Sequence, residues 1–244
     1  MNTQHTTGSA LANSAAPYLT FLEEWQAQLQ PTTSNPSQAA VLVVDMIEGF
    51  VEHGPLASPR VARIVAPVSA LLEAYNASGG SHVLLPEDSH VPDSREFRSY
   101  PPHAIAGTSE ARTVAALKAI ERPSWKHFPK QTLNALGEPA VQREVFELLA
   151  SGIRDFVVIG DCTDLCVYQT AMALQIMLNR PEHAAYRDAR IIVPASAVDT
   201  YDFPVELARN AGAQPHPAEL LHATFLHHMA LNSVTVCTEV RWAA

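Results

Sequence analysis

Basic residues are scarce. The 244-residue chain carries 16 Lys and Arg against 25 Asp and Glu, a formal net charge of −9 at pH 7. A dedicated binder of nucleic acid or of an anionic membrane needs clustered cations, so neither partner is expected. Cysteine is scarce as well. Three thiols, Cys162, Cys166 and Cys237, make no disulfide scaffold and fit a reducing cytoplasm. No apolar run reaches the roughly 18 residues of a membrane span. The start, Met1 to Ser9, lacks the basic stretch and apolar core of a secretory signal, which again leads to a cytoplasmic expectation. Internal repeats are missing too. What is abundant is apolar side chain, 47% of the residues. That is too much for global disorder and enough for one large core.

Residues 1–16 are small and polar and are expected to be disordered. Pro17 to Gln30 places Leu19, Leu22, Trp25 and Leu29 at three- and four-residue spacing, the period of a short amphipathic helix. Pro31 to Ser37 reads as a linker. The division is therefore 1–37, an irregular start with an appended helix and linker, and 38–244, the main domain. Within that domain strands and helices alternate. Ala39–Val44, Ser81–Leu85, Pro123–Phe128, Asp155–Ile159 and Ala189–Val193 read as strands. Val61–Tyr75, Glu110–Ile120, Val141–Leu149, Leu165–Leu178, Pro204–Ala211 and Ala218–Leu231 read as helices. The fold class is α/β: a parallel β-sheet with helices on both faces, in three layers. In such sheets functional groups gather beyond the carboxyl ends of the strands.

Three strand ends carry chemistry. Asp45 closes the apolar run Val41-Leu42-Val43-Val44, where a carboxylate is costly unless paired; a cap or a salt bridge is the plain alternative. Pro86 to His90 follows the second strand. Gly160-Asp161-Cys162-Thr163-Asp164-Leu165-Cys166 follows the Asp155–Ile159 strand and opens a helix. A thiol in a first helical turn has its anion stabilised by free N–H groups and the helix dipole. A lone cysteine is more often a small buried hydrophobe. An acid, a lysine and a thiol at strand ends of one sheet form a layout suited to nucleophilic catalysis.

Three segments, in this order, resemble the isochorismatase-like cysteine hydrolases: Val43 to Phe50, Lys130-Gln131-Thr132-Leu133-Asn134-Ala135-Leu136, and Gly160 to Ala171. The likeness runs from about Val41 to Val240. It implies a triad of Asp45, Lys130 and Cys166. Cys166 would be the nucleophile, Asp45 would shuttle its proton, and Lys130 would lower the thiol pKa and hold Asp45. Lys126 is a rival to Lys130 but lacks the Asn-Ala-Leu tail at the matching offset. The resemblance also implies a cis Asp161–Cys162 peptide and an oxyanion hole formed by the backbone N–H groups of Cys162 and Cys166. Small residues such as Ala are common in the family at the position of Cys162.

Residues 88–108 choose among subfamilies. Asp88-Ser89-His90 sets two metal-capable groups on one extended segment, with Glu96 and His103 within loop reach; ordinary loop histidines are the alternative, since the chain has 11. The segment, with Tyr100-Pro101-Pro102-His103 and Gly107-Thr108, resembles the metal loop of nicotinamidases. That implies Asp88, His90, Glu96 and His103 as ligands of a divalent ion, zinc first and iron or manganese next. It also implies Phe50 and Tyr100 as aromatic walls for a ring, with core packing as the alternative for both. Isochorismatases and N-carbamoylsarcosine-type hydrolases generally lack this loop. The chain departs from nicotinamidases at Ser109-Glu110, where Pro-Gly is common, and at Gly137. The implied reaction is hydrolysis of a small amide through a thioester, nicotinamide to nicotinate and ammonia. Another amide or carbamoyl substrate, or a non-catalytic homologue, is the alternative. The resemblance further implies a homo-oligomer, dimer or tetramer. His82, His127, His216, His222, His227 and His228 carry no motif and are assigned surface or core roles.

Overall fold

A computed structural model describes residues 7–243. In chain order the helices are α1 (Thr7–Ala27), α2 (Glu48–Val51), α3 (Pro59–Ala77), α4 (Ala115–Ile120), α5 (Pro139–Ser151), α6 (Cys166–Leu178), α7 (Val205–Ala211) and α8 (Ala218–Leu231). The strands are β1 (Thr32–Ser34), β2 (Ala39–Val44), β3 (His82–Asp88), β4 (Lys126–Lys130), β5 (Asp155–Asp161), β6 (Arg190–Pro194), β7 (Val198–Asp199), β8 (Thr235–Cys237) and β9 (Val240–Trp242). The main sheet runs β4-β3-β2-β5-β6-β8, all pairs parallel, and β7 extends the pairing at the far end of β5.

Alternation along β2 shows how the three layers form. Successive side chains of a strand point to opposite faces. Ala40, Leu42 and Val44 enter one apolar cluster, with Val145 and Leu149 of α5, Val167 and Ala171 of α6, and Leu226 and Met229 of α8. Ala39, Val41 and Val43 enter the other, with Ile64, Val68 and Leu72 of α3 and Leu117 of α4. All six β2 residues are fully buried, as expected for a strand covered on both faces. Each fully buried Val or Leu contributes about 1.5–3 kcal/mol, which fixes the register that ends at Asp45. Gly160 permits the close approach of β5 to β2: its φ is +110°, and a Cβ there would lie 2.0 Å from the Val44 carbonyl oxygen.

Several expected boundaries shift. The first helix starts at Thr7, not Pro17, so residues 7–16 are helical rather than disordered; Ala10, Ala12, Ala15 and Ala16 have the highest helix propensity. Residues 1–6 of that expected irregular start lie outside the described residues. Within the expected linker, Thr32–Ser34 pairs in parallel with Val240–Trp242, and the Ser34 hydroxyl donates to Asp155 Oδ2 at 2.6 Å. The helix expected from Glu110 begins only at Ala115. Before it, Glu110 and Arg112 use their carbonyls to accept from Gly49 and Glu48, which competes with a helical ladder. Strand β3 runs three residues beyond Leu85, through Pro86, and β4 is displaced to end at Lys130. Among the described residues no helix is long and apolar enough to cross a membrane.

Candidate active site

Four neighbouring strands deliver the site at their carboxyl ends. Asp45 follows β2, Asp88 ends β3, Lys130 ends β4 opposite Asp88, and β5 runs into the turn that leads to Cys166 at the start of α6. The turn after β2 puts Asp45 at φ 54°, a left-handed conformation that Asp tolerates better than most residues. Its Oδ1 accepts from the Asp88 N–H at 2.8 Å, locking the two strand ends together.

Lys130 is the hub. Its ammonium lies 2.8 Å from Asp45 Oδ2 and 2.5 Å from Asp88 Oδ1, and it donates to Cys166 Sγ at 3.6 Å and to the Thr132 carbonyl at 3.2 Å. Donor atoms of Asp45, Asp88 and Cys166 all lie within 4.8 Å of one another. All three of these side chains and Lys130 are buried. Lys126 is elsewhere: half-exposed, it pairs with Glu144 at 2.6 Å.

Burial decides the electrostatics. Removal from water pushes the Asp45 carboxyl up to about 7; Asp88 adds to the rise, and Lys130 opposes it. Burial works against the Lys130 ammonium, but Asp45 and Asp88 outweigh it and hold the amine protonated. Burial also lifts the Cys166 thiol well above its ordinary value, and the opposing pull of Lys130 does not offset it. The lowering expected from the Lys130 charge is present, and burial outweighs it. The sulfur rests protonated, so an adjacent base is required, and a carboxylate raised toward neutrality is a stronger base than an ordinary one. The Asp161–Cys162 peptide is cis. Neither the Cys162 nor the Cys166 N–H donates to another backbone group among the described residues, so both are free for an oxyanion.

Asp88 also faces a second group. Donor atoms of Asp88, His90, Glu96 and His103 all lie within 4.8 Å of one another. Asp88 Oδ2 is 3.5 Å from His90 Nε2 and 3.7 Å from His103 Nε2. His103 Nδ1 donates to the Pro101 carbonyl at 2.8 Å, which holds the ring with Nε2 turned toward the group. His90 is fully buried, yet neither ring nitrogen has a hydrogen-bond partner. An unsatisfied buried group of this kind costs about 1–3 kcal/mol. A divalent cation would satisfy it, and a set of two imidazoles and two carboxylates suits zinc, iron or manganese. Burial holds the Glu96 carboxyl above its ordinary value, with Asp88 adding to the rise.

A narrow cavity of about 30 Å³ opens between the two groups. Phe50 and Tyr100 line it, together with Asp88, Glu96, His103, Cys162 and Cys166. Sequence reasoning missed Leu56, Leu133, Asp161, Leu165 and Tyr201 on the same wall. It also missed a brace. Glu110 Oε2 accepts from the N–H of Ala104 at 3.0 Å, next to His103, while the Glu110 carbonyl accepts from Gly49 at 2.9 Å, next to Phe50. The unusual Ser109-Glu110 pair was its sequence signal. A Cβ at Gly49 would come within 2.9 Å of Glu110, so the brace depends on that glycine.

Comparison with known proteins bears on this geometry. Residues 39–239 match the profile of the Isochorismatase domain family. Nicotinamidase 1 of Arabidopsis thaliana is 28% identical over 203 residues, covering 78% of this chain and 82% of that protein. The crystal structure of N-carbamoylsarcosine amidase from Thermoplasma acidophilum is similar at TM-score 0.59 and 25% identity, covering 82% of this chain and 95% of that one. A nicotinamidase from Bacillus subtilis shares the fold at TM-score 0.63 and 22% identity, covering 82% and 99%. With the profile spanning the whole sheet and every strand end described above, the chain belongs to the isochorismatase family of hydrolases, and nicotinamidases are among its relatives.

Proposed function

We propose that this protein is a cysteine amidohydrolase that converts a small aromatic carboxamide, nicotinamide first, into its carboxylate and ammonia. The observation that supports this most is the single ammonium of Lys130 touching Asp45, Asp88 and Cys166 in one buried wall. Asp45 takes the proton of the Cys166 thiol as Sγ forms a bond to the carboxamide carbon. The carbonyl oxygen gains the negative charge and accepts from the Cys162 and Cys166 N–H groups. As the C–N bond breaks, Asp45 returns the proton to the nitrogen, which leaves as ammonia. A thioester on Cys166 remains. Water then attacks it with Asp45 as base, the C–S bond breaks, and the carboxylate departs from a restored thiol. Lys130 keeps its charge throughout and holds Asp45 toward the sulfur.

Asp88, His90, Glu96 and His103 would hold a divalent ion, zinc before iron or manganese. When bound, such an ion supplies a Lewis acid for a lone pair of the substrate. Phe50 and Tyr100 would flank the ring. The similarity to N-carbamoylsarcosine amidase favours a second reading, a carbamoyl substrate with the same thiol chemistry. The metal-capable group at Asp88 to His103 weighs toward the first. The test is release of ammonia and nicotinate from nicotinamide, run beside a carbamoyl panel with and without chelator. Nicotinamide turnover that Cys166→Ala abolishes supports the proposal. Turnover that survives this substitution overturns the mechanism, and turnover of carbamoyl compounds alone overturns the substrate.

A further inference from the structure

Tyr201 lines the cavity beside Cys162 and Cys166, and no motif marked it. Its placement is built with unusual redundancy. Strand β7 pairs with the last two residues of β5, so the chain arrives at Tyr201 directly from the edge that carries the thiol turn. The Thr163 N–H donates to the Asp199 carbonyl at 3.0 Å, and the Thr200 hydroxyl donates to Asp164 Oδ1 at 2.6 Å. Beyond Tyr201, Phe203 and His216 exchange two backbone hydrogen bonds of 2.8 Å each.

His216 completes the support. Its Nε2 meets Asp164 Oδ2 at 2.8 Å and its Nδ1 meets the Tyr201 carbonyl at 2.8 Å. A carbonyl accepts only. Burial would raise the Asp164 carboxyl, but His216 and Thr200 hold it below its ordinary value, so it is ionised and accepts too. Both ring nitrogens therefore donate, and the ring is an imidazolium. This cation lies flat against the Tyr201 ring, centroids 3.8 Å apart and planes 15° apart. Stacking of a cation on a phenol face is favourable and fixes the ring plane. Asp164 stands two residues before Cys166, so one carboxylate orients both the thiol turn and, through His216, the aromatic wall.

We infer that Tyr201, clamped by the Asp164–His216 pair, is a specificity-determining wall that selects flat aromatic amides over saturated ones of equal size. The inference rests on the amidase reading for its substrate class, but its test separates the two. Nicotinamide and cyclohexanecarboxamide are titrated by calorimetry into Cys166→Ala protein and into the same background carrying Tyr201→Leu, Tyr201→Phe or His216→Gln. Leucine keeps apolar bulk but removes the plane. Tyr201→Leu is expected to weaken nicotinamide about three- to tenfold and to leave the saturated amide within about twofold. Phenylalanine restores the aromatic preference, and His216→Gln loses part of it. In the active enzyme the same loss is read as a raised KM with kcat nearly kept, the signature of a contact made equally before and during reaction. Equal losses for both amides, a Phe variant as poor as Leu, or no nicotinamide binding to Cys166→Ala protein each overturn the inference. Absence of turnover by the wild-type enzyme with nicotinamide binding and aromatic preference intact would overturn the amidase reading and leave the wall standing.

Discussion

Strand β5 begins and ends with an aspartate, and the two ends obey different rules. At the start, Asp155 accepts from Ser34 at 2.6 Å and from Arg190 at 2.8 and 2.6 Å, so both of its oxygens are matched by donors. At the other end, Asp161 is buried with an unpartnered Oδ1, and nearby Asp45 and Asp88 share one ammonium. One edge of the sheet spends its polar groups on holding the chain together. The other keeps several of them unsatisfied, at a cost to stability, in reach of a cavity. Buried groups left in that condition mark the chemistry.

Substitutions at the two edges should therefore separate activity from stability. The largest effect on rate is expected from Cys166→Ala: a fall in kcat/KM on the order of 10³-fold or more in the ammonia-release assay, with thermal stability close to wild type. Lys130→Met should remove activity and also cost about 3–5 kcal/mol in denaturant unfolding, because two buried carboxylates lose their counter-ion. A stable, active Lys130→Met protein would dissolve the distinction between the edges. Added zinc should raise the Tm of the wild-type protein, by about 2.7 kcal/mol of stabilisation at a hundredfold excess over Kd, and His90→Ala should abolish that rise. Retention of that rise would move the cation elsewhere. Asp155→Ala, at the opposite edge, should cost about 1–3 kcal/mol and leave kcat/KM within about twofold. A larger loss of activity than of stability there would break the comparison.

The layers and most of the side chains that gather at the candidate site could be read from the sequence because they rest on local signals. The uninterrupted apolar run of Ala39–Val44 specifies a doubly covered strand, and the acid that follows it is then at a carboxyl end. The spacing after Lys130 separated it from Lys126, and the structure brings only Lys130 to Asp45 and Cys166. What local signals could not give was balance and distance. The direction of the Cys166 shift depends on burial exceeding the pull of Lys130, and burial is a property of the packed whole. Tyr201 and His216 stack from either side of the segment that holds α7, and Asp164 joins them from another strand end, so neither period nor motif could reveal them. The start of α1 was missed because small residues were read as disorder, although alanines also favour helix.

The most direct test of the covalent chemistry is mass spectrometry of the Cys166-containing peptide after rapid acid quench of the enzyme turning over nicotinamide. The expected result is a nicotinoyl adduct on Cys166 that forms during turnover and vanishes when substrate is exhausted. Steady ammonia release with that peptide unmodified at every quench time, and with no nicotinohydroxamate formed when hydroxylamine is added during turnover, would contradict it.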